Sequence, residues 1–183
     1  TGQYLDFIRY MNPCKNLLTK VEYVDSEKST YTGTYKGIEI TVTSTGIGAP
    51  SAAIAMEEMY EAGMEVAVRM GTVMSMQDDM LGHFMIPIAA MRREGTSQSY
   101  VDLSYPAVAD VELVNVMNET VQQMGKRYLN GLNCTMDGFY SCMHDSKFSL
   151  ECGRDMSKTF EEVKKLGVTG IDMESSCILT LGR

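Results

Sequence analysis

The sequence predicts an α/β fold in which helices cover both faces of a β-sheet. Short segments rich in β-forming residues alternate along the chain with amphipathic segments of helical length, which is the order typical of such folds. The 183 residues contain no internal repeat, low-complexity tract or long Pro/Gly/Ser linker. We therefore expect residues 1–183 to form a single domain.

The first predicted elements are a β-hairpin and a helix. Thr30 to Tyr35 and Ile38 to Ser44 alternate β-forming and polar residues, and the Lys-Gly dipeptide between them suits a tight turn. A glycine-rich stretch then leads into a predicted helix from Pro50 to Ala62, because proline is favoured in the first helical turn. Gly63 marks the end of this helix, since glycine readily adopts the left-handed conformation that follows many helices.

The rest of the chain continues the alternation of strands and helices. Pro87 lies inside an apolar stretch and predicts a bulge or an edge there, because proline cannot donate a hydrogen bond to a neighbouring strand. The predicted strands are Glu65 to Met70, Phe84 to Met91, Tyr128 to Cys134 and Val168 to Asp172, and the predicted helices are Val111 to Met124, Asp155 to Leu166 and Glu174 to Leu181.

The composition argues against two kinds of partner. Twenty-four acidic and 16 basic side chains give a net charge of −8, whereas non-specific nucleic-acid binding needs a basic face. The longest apolar run lies near Phe84 to Met91, is interrupted by Pro87, and is far shorter than the roughly 20 residues that span a bilayer. With no charged-then-apolar leader visible, we expect a cytoplasmic protein that binds no nucleic acid and no membrane.

The five cysteines indicate free thiols rather than disulfides. Their number is odd and no CxxC motif occurs, which fits a reducing compartment. Cys134, Cys142, His144 and Cys152 offer zinc-ligand chemistry, but their spacing matches no ligand knuckle. We expect no metal site, and separate thiols of which some are buried as small apolar side chains.

A glycine turn from Ser44 to Ser51 is the first candidate for function. It reads Ser-Thr-Gly-Ile-Gly-Ala-Pro-Ser and joins a predicted strand to a predicted helix. Glycines let a backbone approach a ligand closely, and the N–H groups at a helix N-terminus favour an anion or a hydroxyl-rich group. A purely structural tight turn is the alternative, and for this segment alone it is the simpler explanation.

A second candidate segment runs from Val68 to Thr72. Arg69 would lie at the carboxyl end of the predicted strand, where open α/β sheets bind ligands. Together with the hydroxyl of Thr72, its guanidinium could hold an oxyanion. A structural ion pair with a nearby acidic residue is an equally weighted alternative. The candidate partners are Glu57, Glu58 and Glu174.

A third candidate segment, Ile171 to Ser176, lies where a predicted strand turns into a helix. It reads Ile-Asp-Met-Glu-Ser-Ser. A carboxylate at such a turn lies near the positive end of the helix, which fixes it as a hydrogen-bond acceptor. It could therefore bind sugar hydroxyls. An ordinary acidic residue at a helix start is the alternative, and for this segment alone it is the favoured explanation.

Five segments occur together in one particular order across nearly the whole chain. They are Ser44 to Ser51 followed by Ile54 to Met59, Arg69-Met70-Gly71-Thr72, Tyr105-Pro106-Ala107-Val108-Ala109-Asp110, Asp137-Gly138-Phe139-Tyr140, and Met173-Glu174-Ser175. Jointly they resemble the nucleoside phosphorylase-I superfamily, and most closely its uridine phosphorylase branch.

The resemblance implies a fold, a reaction and an assembly. The fold would be a three-layer twisted mixed sheet with helices on both faces. The reaction would be phosphorolysis of uridine-like nucleosides to free base and ribose 1-phosphate, with inorganic phosphate as co-substrate and no metal or organic cofactor. The assembly would be a homodimer or a homohexamer, because members of this branch lend residues to a neighbour's site, here from Asp25 to Thr32.

The resemblance also implies which residues hold phosphate. Arg69 and Thr72 would orient it, with Gly2 and the backbone N–H groups of the turn at Gly46. Arg69 and Glu174 would carry the catalysis. This chemistry consists mainly of positioning and electrostatic stabilisation.

The same resemblance implies the nucleoside contacts. Thr72, Met173 and Glu174 would hold the ribose, with Glu174 accepting hydrogen bonds from its hydroxyls. Phe139 would stack on the base, and Met143 would lie beside it.

Several positions differ from the family pattern. Asp6 stands where the phosphate loop has an arginine, Ser26 where a neighbour's arginine is lent, and Met143 with Asp145 where a Q-x-R sequence reads uracil. We therefore expect weak discrimination of uracil. The alternatives are a purine nucleoside phosphorylase or nucleosidase of the same superfamily, or a catalytically impaired nucleoside-binding relative. The family also continues beyond the helix after Glu174, so we expect the domain to lack the C-terminal strand and helix.

Overall fold

The computed structural model describes residues 22–23 and 30–182. These residues fall into two compact units, which divide between Gly46 and Ile47, and each unit has a sheet of its own. A compact unit is not necessarily an independently folding domain. The single domain expected over the whole chain therefore stays a prediction.

The first unit contains an antiparallel sheet in the order β1–β2–β3. Its strands are β1 (Glu22–Tyr23), β2 (Thr30–Tyr35) and β3 (Ile38–Thr43). The turn between β2 and β3 places Lys36 at φ 51° and Gly37 at φ 83°, the left-handed backbone that two-residue hairpin turns require. Threonine hydroxyls join the strands, because Oγ1 of Thr32 lies 2.9 Å from Oγ1 of Thr41. The predicted hairpin is confirmed.

The second unit is built on a mixed sheet of five strands in the order β4–β8–β7–β5–β6. They are β4 (Met74–Ser75), β5 (Phe84–Arg93), β6 (Ala107–Val108), β7 (Tyr128–Met136) and β8 (Val168–Asp172). The central strands β5, β7 and β8 run parallel, whereas the short edge strands are antiparallel to their neighbours. Because parallel strands end at the same side of a sheet, the loops that follow the three central strands lie side by side.

Helices cover both faces of this sheet. They are α1 (Ala49–Glu61), α2 (Val111–Gln123), α3 (Lys147–Glu151), α4 (Met156–Lys165) and α5 (Ser175–Leu181), with a π-helical turn at Phe139–Met143 and 3₁₀ turns at Asp78–Met80 and Ser97–Ser99. On one face, Cys134 and Met136 of β7 pack against Val163 of α4. On the other face, Thr135 accepts a hydrogen bond from the backbone N–H of Ser176 in α5. The predicted α/β fold is confirmed, and no described helix is long and apolar enough to cross a membrane.

Helix α1 begins and ends where the sequence predicts. Pro50 lies in its first turn, where a missing N–H costs no helical hydrogen bond, and Gly63 follows its end with φ 94°. Ala49 and Ala53 are buried and pack against Cys177 of α5. These small side chains let the two helices approach closely, and the contact brings their N-terminal ends together.

A one-residue bulge interrupts β5 at the predicted proline. Pro87 lies opposite Gly131 of β7 and Ala89 lies opposite Leu132, so Ile88 is an extra residue without a partner in β7. Successive side chains of a strand alternate between the two faces of its sheet. The extra residue therefore reverses the alternation in the second half of β5.

One predicted strand is wrong, because the structure shows Glu65 to Met70 as an irregular segment. The alternation of Val66 and Val68 predicted a strand, yet both residues are more than half exposed, at 61% and 59%. No strand in the described part of the chain pairs with this segment. Backbone N–H and C=O groups without a neighbouring strand have no ladder to join, whatever the side-chain pattern. Arg69 thus lies in an irregular segment rather than at a strand end.

Candidate active site

Three charged side chains meet where the central strands end. Asp172 is the last residue of β8, and Glu174 lies immediately before α5. Arg69 reaches the same point from the irregular segment 64–73. We call Arg69, Asp172 and Glu174 the charged cluster. Open α/β sheets bind ligands beyond the carboxyl ends of their strands, so this position is the one expected for a site.

Arg69 forms ion pairs with both acidic residues of the cluster. Its Nη2 donates to Oε2 of Glu174 over 2.5 Å, and its Nη1 lies 3.3 Å from Oδ2 of Asp172. Gly71 permits this arrangement, because a Cβ there would lie 3.1 Å from the guanidinium. The ion pair with Glu174 that the sequence left open is therefore present. The Arg69 side chain remains 24% exposed, and a guanidinium has five donors, so binding of an anion is still compatible with these pairs.

Backbone groups hold Glu174 as well. Its Oε1 accepts a hydrogen bond of 2.7 Å from the N–H of Gly48, the residue before α1, and its Oε2 accepts one of 3.3 Å from the N–H of Met173. Gly48 has φ 91°, a conformation that favours glycine. The predicted glycine turn thus presents an N–H at a helix N-terminus to an anion, and this anion is a carboxylate of the chain itself.

Asp172 is buried and fully engaged in hydrogen bonds. Its Oδ1 accepts from Nδ2 of Asn133 at 2.7 Å and from Oγ1 of Thr135 at 2.8 Å, both in β7. Its Oδ2 accepts from the hydroxyl of Ser175 and from the Ser175 N–H at 3.2 Å. No role was predicted for Asp172, although this residue lies in the candidate segment Ile171 to Ser176. Its partners in another strand give no local sequence signal.

A further buried carboxylate, Glu94, lies just after β5 and was also missed. Its Oε1 accepts from the hydroxyls of Ser97 and Ser176, the latter at 2.9 Å, and its Oε2 accepts from the Ser97 N–H at 2.8 Å. Because the N–H of Ser176 donates to Thr135, hydrogen bonds continue from Glu94 as far as Asp172. The polar run Arg-Arg-Glu-Gly-Thr-Ser after an apolar strand is the signal that could have indicated it.

The predicted base-side residues lie together in one apolar cluster. Phe139 and Met173 pack on the group of buried side chains that includes Met143. Phe139 also meets Tyr140 edge to face, with ring centroids 5.0 Å apart, and lies 6.1 Å from the ring of His144. The N–H of Met173 donates to the charged cluster, which connects the two groups. Their roles toward a base or a sugar stay predictions.

The remaining predicted site residues are placed as follows. Thr72 is exposed, three residues after Arg69. Gly46 is the last residue of the first unit and has φ 74°. Gly2, Asp6 and Ser26 lie outside the described residues. The phosphate contacts expected from Thr72, Gly46 and Gly2 therefore stay predictions.

A cavity formed by the segment 138–154 lies outside the charged cluster. It has a volume of about 360 Å³ and is open to solvent, with Phe148 at its wall 76% exposed. Its lining residues are Tyr140, Ser141, Ser146, Phe148, Ser149, Cys152 and Arg154. Its lining contains no acidic residue, and the hydroxyl of its buried Ser149 already donates to the carbonyl of Ser146, so the charged cluster remains the stronger candidate site.

The cysteines do not form a metal centre in the described part of the chain. No three His, Cys, Asp or Glu side chains are grouped there as a metal site requires. Burial raises the pKa of the Cys134 thiol to about 11. A thiol ligand binds zinc as the thiolate, so this environment disfavours the zinc alternative.

The geometry suits a ligand that combines an anion, hydroxyl groups and a flat ring. The guanidinium of Arg69 can pair with an oxyanion through parallel N–H donors. The carboxylate of Glu174, held by backbone N–H groups, can accept hydrogen bonds from hydroxyls. The ring of Phe139 offers an apolar face for a planar group.

Comparison with known sequences reveals a consistent set of relatives. The family model described as Phosphorylase superfamily matches residues 4–183. The chain is 37% identical over 156 residues to a uridine phosphorylase of Thermococcus kodakarensis and 31% identical over 157 residues to one of Escherichia coli. It is also 30% identical over 150 residues to a guanosine phosphorylase of Halorubrum lacusprofundi.

These matches cover most of this chain and a smaller share of the relatives. They include 85%, 85% and 81% of the chain, but 56%, 62% and 57% of the three relatives. The chain therefore spans less than two thirds of their length. A crystal structure of uridine phosphorylase from Vibrio fischeri, complexed with 6-hydroxy-1-naphthoic acid, matches with a TM-score of 0.83 and 32% identity. That match covers 96% of this chain and 68% of the other.

Proposed function

Since the chain belongs to the phosphorylase superfamily, we propose that it catalyses the phosphorolysis of uridine-like nucleosides to free base and ribose 1-phosphate. An oxygen of inorganic phosphate attacks the anomeric carbon of the ribose and forms a C–O bond. The glycosidic C–N bond breaks, its electron pair leaves with the base, and the base takes up a proton. Positive charge develops on the sugar in the transition state.

The pairing of Arg69 with Glu174 is the observation that carries this proposal. A cation for phosphate and an acceptor for ribose hydroxyls lie 2.5 Å apart, so the two substrates would be held next to each other. Such proximity is what attack by one on the other requires. The N–H groups of Gly48 and Met173 already orient the Glu174 carboxylate, which reduces the reorganisation needed during the reaction.

Inorganic phosphate is the co-substrate in this proposal, and no metal or organic cofactor takes part. Arg69 counters the charge of phosphate, while Glu174 strengthens its bonds to the ribose as the sugar becomes positive. Thr72, Gly46 and Gly2 would add donors to the phosphate. Positioning and electrostatics therefore account for the chemistry.

The direct test measures base release by the full chain from uridine, inosine and methylthioadenosine, each with and without phosphate. We expect release from uridine to require phosphate and to yield one ribose 1-phosphate per base. Phosphate-independent release with free ribose as product would instead identify a nucleosidase. Nucleoside binding without turnover in either condition would identify a non-catalytic relative.

A matched pair of variants shows whether the charged cluster is responsible. Arg69→Ala should abolish most phosphate-dependent turnover. Arg127→Ala should not, because Arg127 makes an exposed ion pair with Asp79 outside the cluster. Equal activity of the two variants would contradict the site assignment.

Purine nucleosides are the second candidate substrates. A guanosine phosphorylase is among the relatives, and the buried Met143 stands at the sequence position where the family resemblance implies a donor–acceptor pair that reads uracil. A thioether cannot supply paired donors and acceptors. We therefore propose that uridine exceeds inosine in kcat/KM by less than about 10³-fold, or about 4 kcal/mol. A larger preference would show that other residues read the pyrimidine.

We also propose that the protein assembles as a homodimer or a homohexamer in the cytoplasm. The segment Asp25 to Thr32, most of which lies outside the described residues, would complete a neighbour's site. The described cysteines are free thiols, which supports a reducing compartment. Light scattering that shows a strict monomer at micromolar concentration would contradict the assembly.

A further inference from the structure

The charged cluster contains a carboxylate that the proposed reaction does not use. The Asp172 side chain is only 2% exposed, so it is too deep to contact phosphate or ribose, yet it pairs with Arg69. Burying an ion pair is costly unless further hydrogen bonds compensate both charges. Asp172 has this compensation from Asn133, Thr135 and Ser175, and such an arrangement needs a reason.

We propose that Asp172 is a positioning residue that fixes the guanidinium of Arg69 for phosphate, an inference that rests on the proposed function. Arg69 belongs to an irregular segment, so no strand or helix hydrogen bonds set its position. The orientation of its side chain must therefore come from its ion pairs. These pairs are with Glu174 and Asp172.

The two carboxylates differ in what they can do during a reaction cycle. Glu174 would accept hydrogen bonds from ribose hydroxyls, so its bond to Arg69 weakens or shifts when a nucleoside enters. Asp172 keeps the same partners, because its other donors are Asn133 and Thr135 of the central strand β7. Asp172 is thus the anchor that ties the guanidinium to the rigid sheet through every step.

The experiment replaces Asp172 by Asn in the full chain and measures phosphate and nucleoside separately. Phosphate affinity is measured by calorimetry without nucleoside, and KM for each substrate is measured by turnover. We expect phosphate Kd and KM to rise about ten- to hundredfold, the scale of one lost charge-assisted contact, while nucleoside KM changes less than about threefold. Asp172→Glu, which keeps the charge, should recover part of the loss.

Glu94→Gln is the matched control, because it also neutralises a buried carboxylate on the same face of the sheet. Glu94 is held by Ser97 and Ser176 and reaches Asp172 only through further hydrogen bonds. The phosphate Kd of the Glu94→Gln variant should stay within about threefold of the phosphate Kd of the starting protein. Equal losses in Asp172→Asn and Glu94→Gln, or equal changes in phosphate and nucleoside KM, would overturn the positioning role.

A milder variant keeps the test decisive if Asp172→Asn unfolds. Ser175→Ala removes a hydroxyl that donates to Asp172 and leaves the carboxylate and Arg69 in place. It should raise phosphate Kd a few-fold without changing nucleoside KM, and an unchanged phosphate Kd would overturn the inference. If the starting protein catalyses phosphorolysis and the variants keep its phosphate Kd, only the positioning role of Asp172 is refuted, and the proposed reaction stands. A starting protein that binds phosphate without turnover would refute the proposed reaction, whereas absence of phosphate binding would refute both.

Discussion

The charged cluster and the segment 138–154 lie in the same unit but are built in opposite ways. In the cluster, each carboxylate is buried and accepts several hydrogen bonds, and the donors come from strand β7, two helix starts and an arginine. The segment 138–154 has a π-helical turn, a five-residue helix and an open cavity, with Tyr140 62% exposed. Burial and multiple partners hold a group in one geometry, whereas exposed side chains can adjust to different ligands.

This difference teaches where catalysis and selectivity should reside. A preorganised polar group contributes to the transition state because it does not need to move. The neighbouring rings of Phe139, Tyr140 and His144 in the segment 138–154 form what we call the aromatic wall. Such rings contribute mainly contact area to a planar group. Substitutions in the cluster should therefore affect turnover by orders of magnitude, and substitutions in the segment should shift substrate preference by smaller factors.

The largest effect is expected for Arg69→Ala. It removes the cation from two carboxylates that lie beside each other, and it removes the partner of phosphate. We expect kcat/KM for phosphate to fall about 10³-fold, or about 4 kcal/mol, through a higher KM and a lower kcat. Steady-state kinetics with varied phosphate concentration measure this fall. A fall in kcat/KM of less than tenfold would contradict the expected difference between the charged cluster and the segment 138–154.

Glu174→Gln should have the next largest effect. The amide keeps the size of the side chain but weakens acceptance from ribose hydroxyls as the sugar becomes positive. We expect kcat for ribosides to fall about 10²-fold, or about 2.7 kcal/mol, with phosphate affinity largely intact. Glu162→Gln is the control, since Glu162 pairs with Arg93 at the surface. A fall in phosphate affinity equal to that in kcat would contradict separate sugar and phosphate roles.

Phe139→Leu should have a smaller effect that is confined to the nucleoside. Loss of stacking is expected to raise nucleoside KM about tenfold or less, or about 1.4 kcal/mol, for uridine and inosine alike. Phosphate KM should not change. His144→Ala tests the neighbouring ring in the same assay. A phosphate KM that rises with the nucleoside KM would show that the aromatic wall and the cluster are one rigid unit.

The smallest effect concerns thiol reactivity rather than catalysis. Burial raises the pKa of Cys134 to about 11 and that of Cys177 to about 12, whereas Cys152 in the segment 138–154 is exposed. At pH 8 a thiol with a pKa of about 11 is only about 0.1% thiolate. Site-resolved mass spectrometry should show that Cys152 is alkylated long before Cys134 in the native protein. In the denatured protein, the two cysteines should be alkylated at similar rates. Comparable alkylation rates of Cys152 and Cys134 in the native protein would show that strand β7 opens as readily as the segment 138–154.

Much of the fold follows from local sequence signals. The hairpin follows from Lys36-Gly37, the ends of α1 from Pro50 and Gly63, and the bulge from Pro87, because each residue acts through its own backbone preferences. The strand expected at Glu65 to Met70 was wrong for the opposite reason. Strand formation depends on a neighbour that the local pattern does not describe.

The residues of the candidate site also fall into those that a local sequence pattern indicates and those that it does not. Arg69 and Glu174 stand out because each lies in a short segment with recognisable chemistry, although only the structure shows that they pair. Asp172 and Glu94 were not assigned roles, because their partners come from β7 and α5. A buried hydrogen-bond network is defined by residues distant in sequence, so a single sequence does not reveal it.

The bulge at Ile88 divides β5 into two halves. Odd-numbered residues before Ile88 and odd-numbered residues after it face opposite sides of the sheet. Because Pro87 and Ala89 lie opposite the consecutive residues Gly131 and Leu132, deleting Ile88 would remove the bulge and leave every other side chain of β5 on its present face. Arg92 would still point toward Ser97 and the carbonyls of Val101 and Tyr105. For library design, a deletion should therefore be tolerated at this position, whereas a deletion elsewhere in β5 would shift neighbouring residues by one position and turn them to the other face.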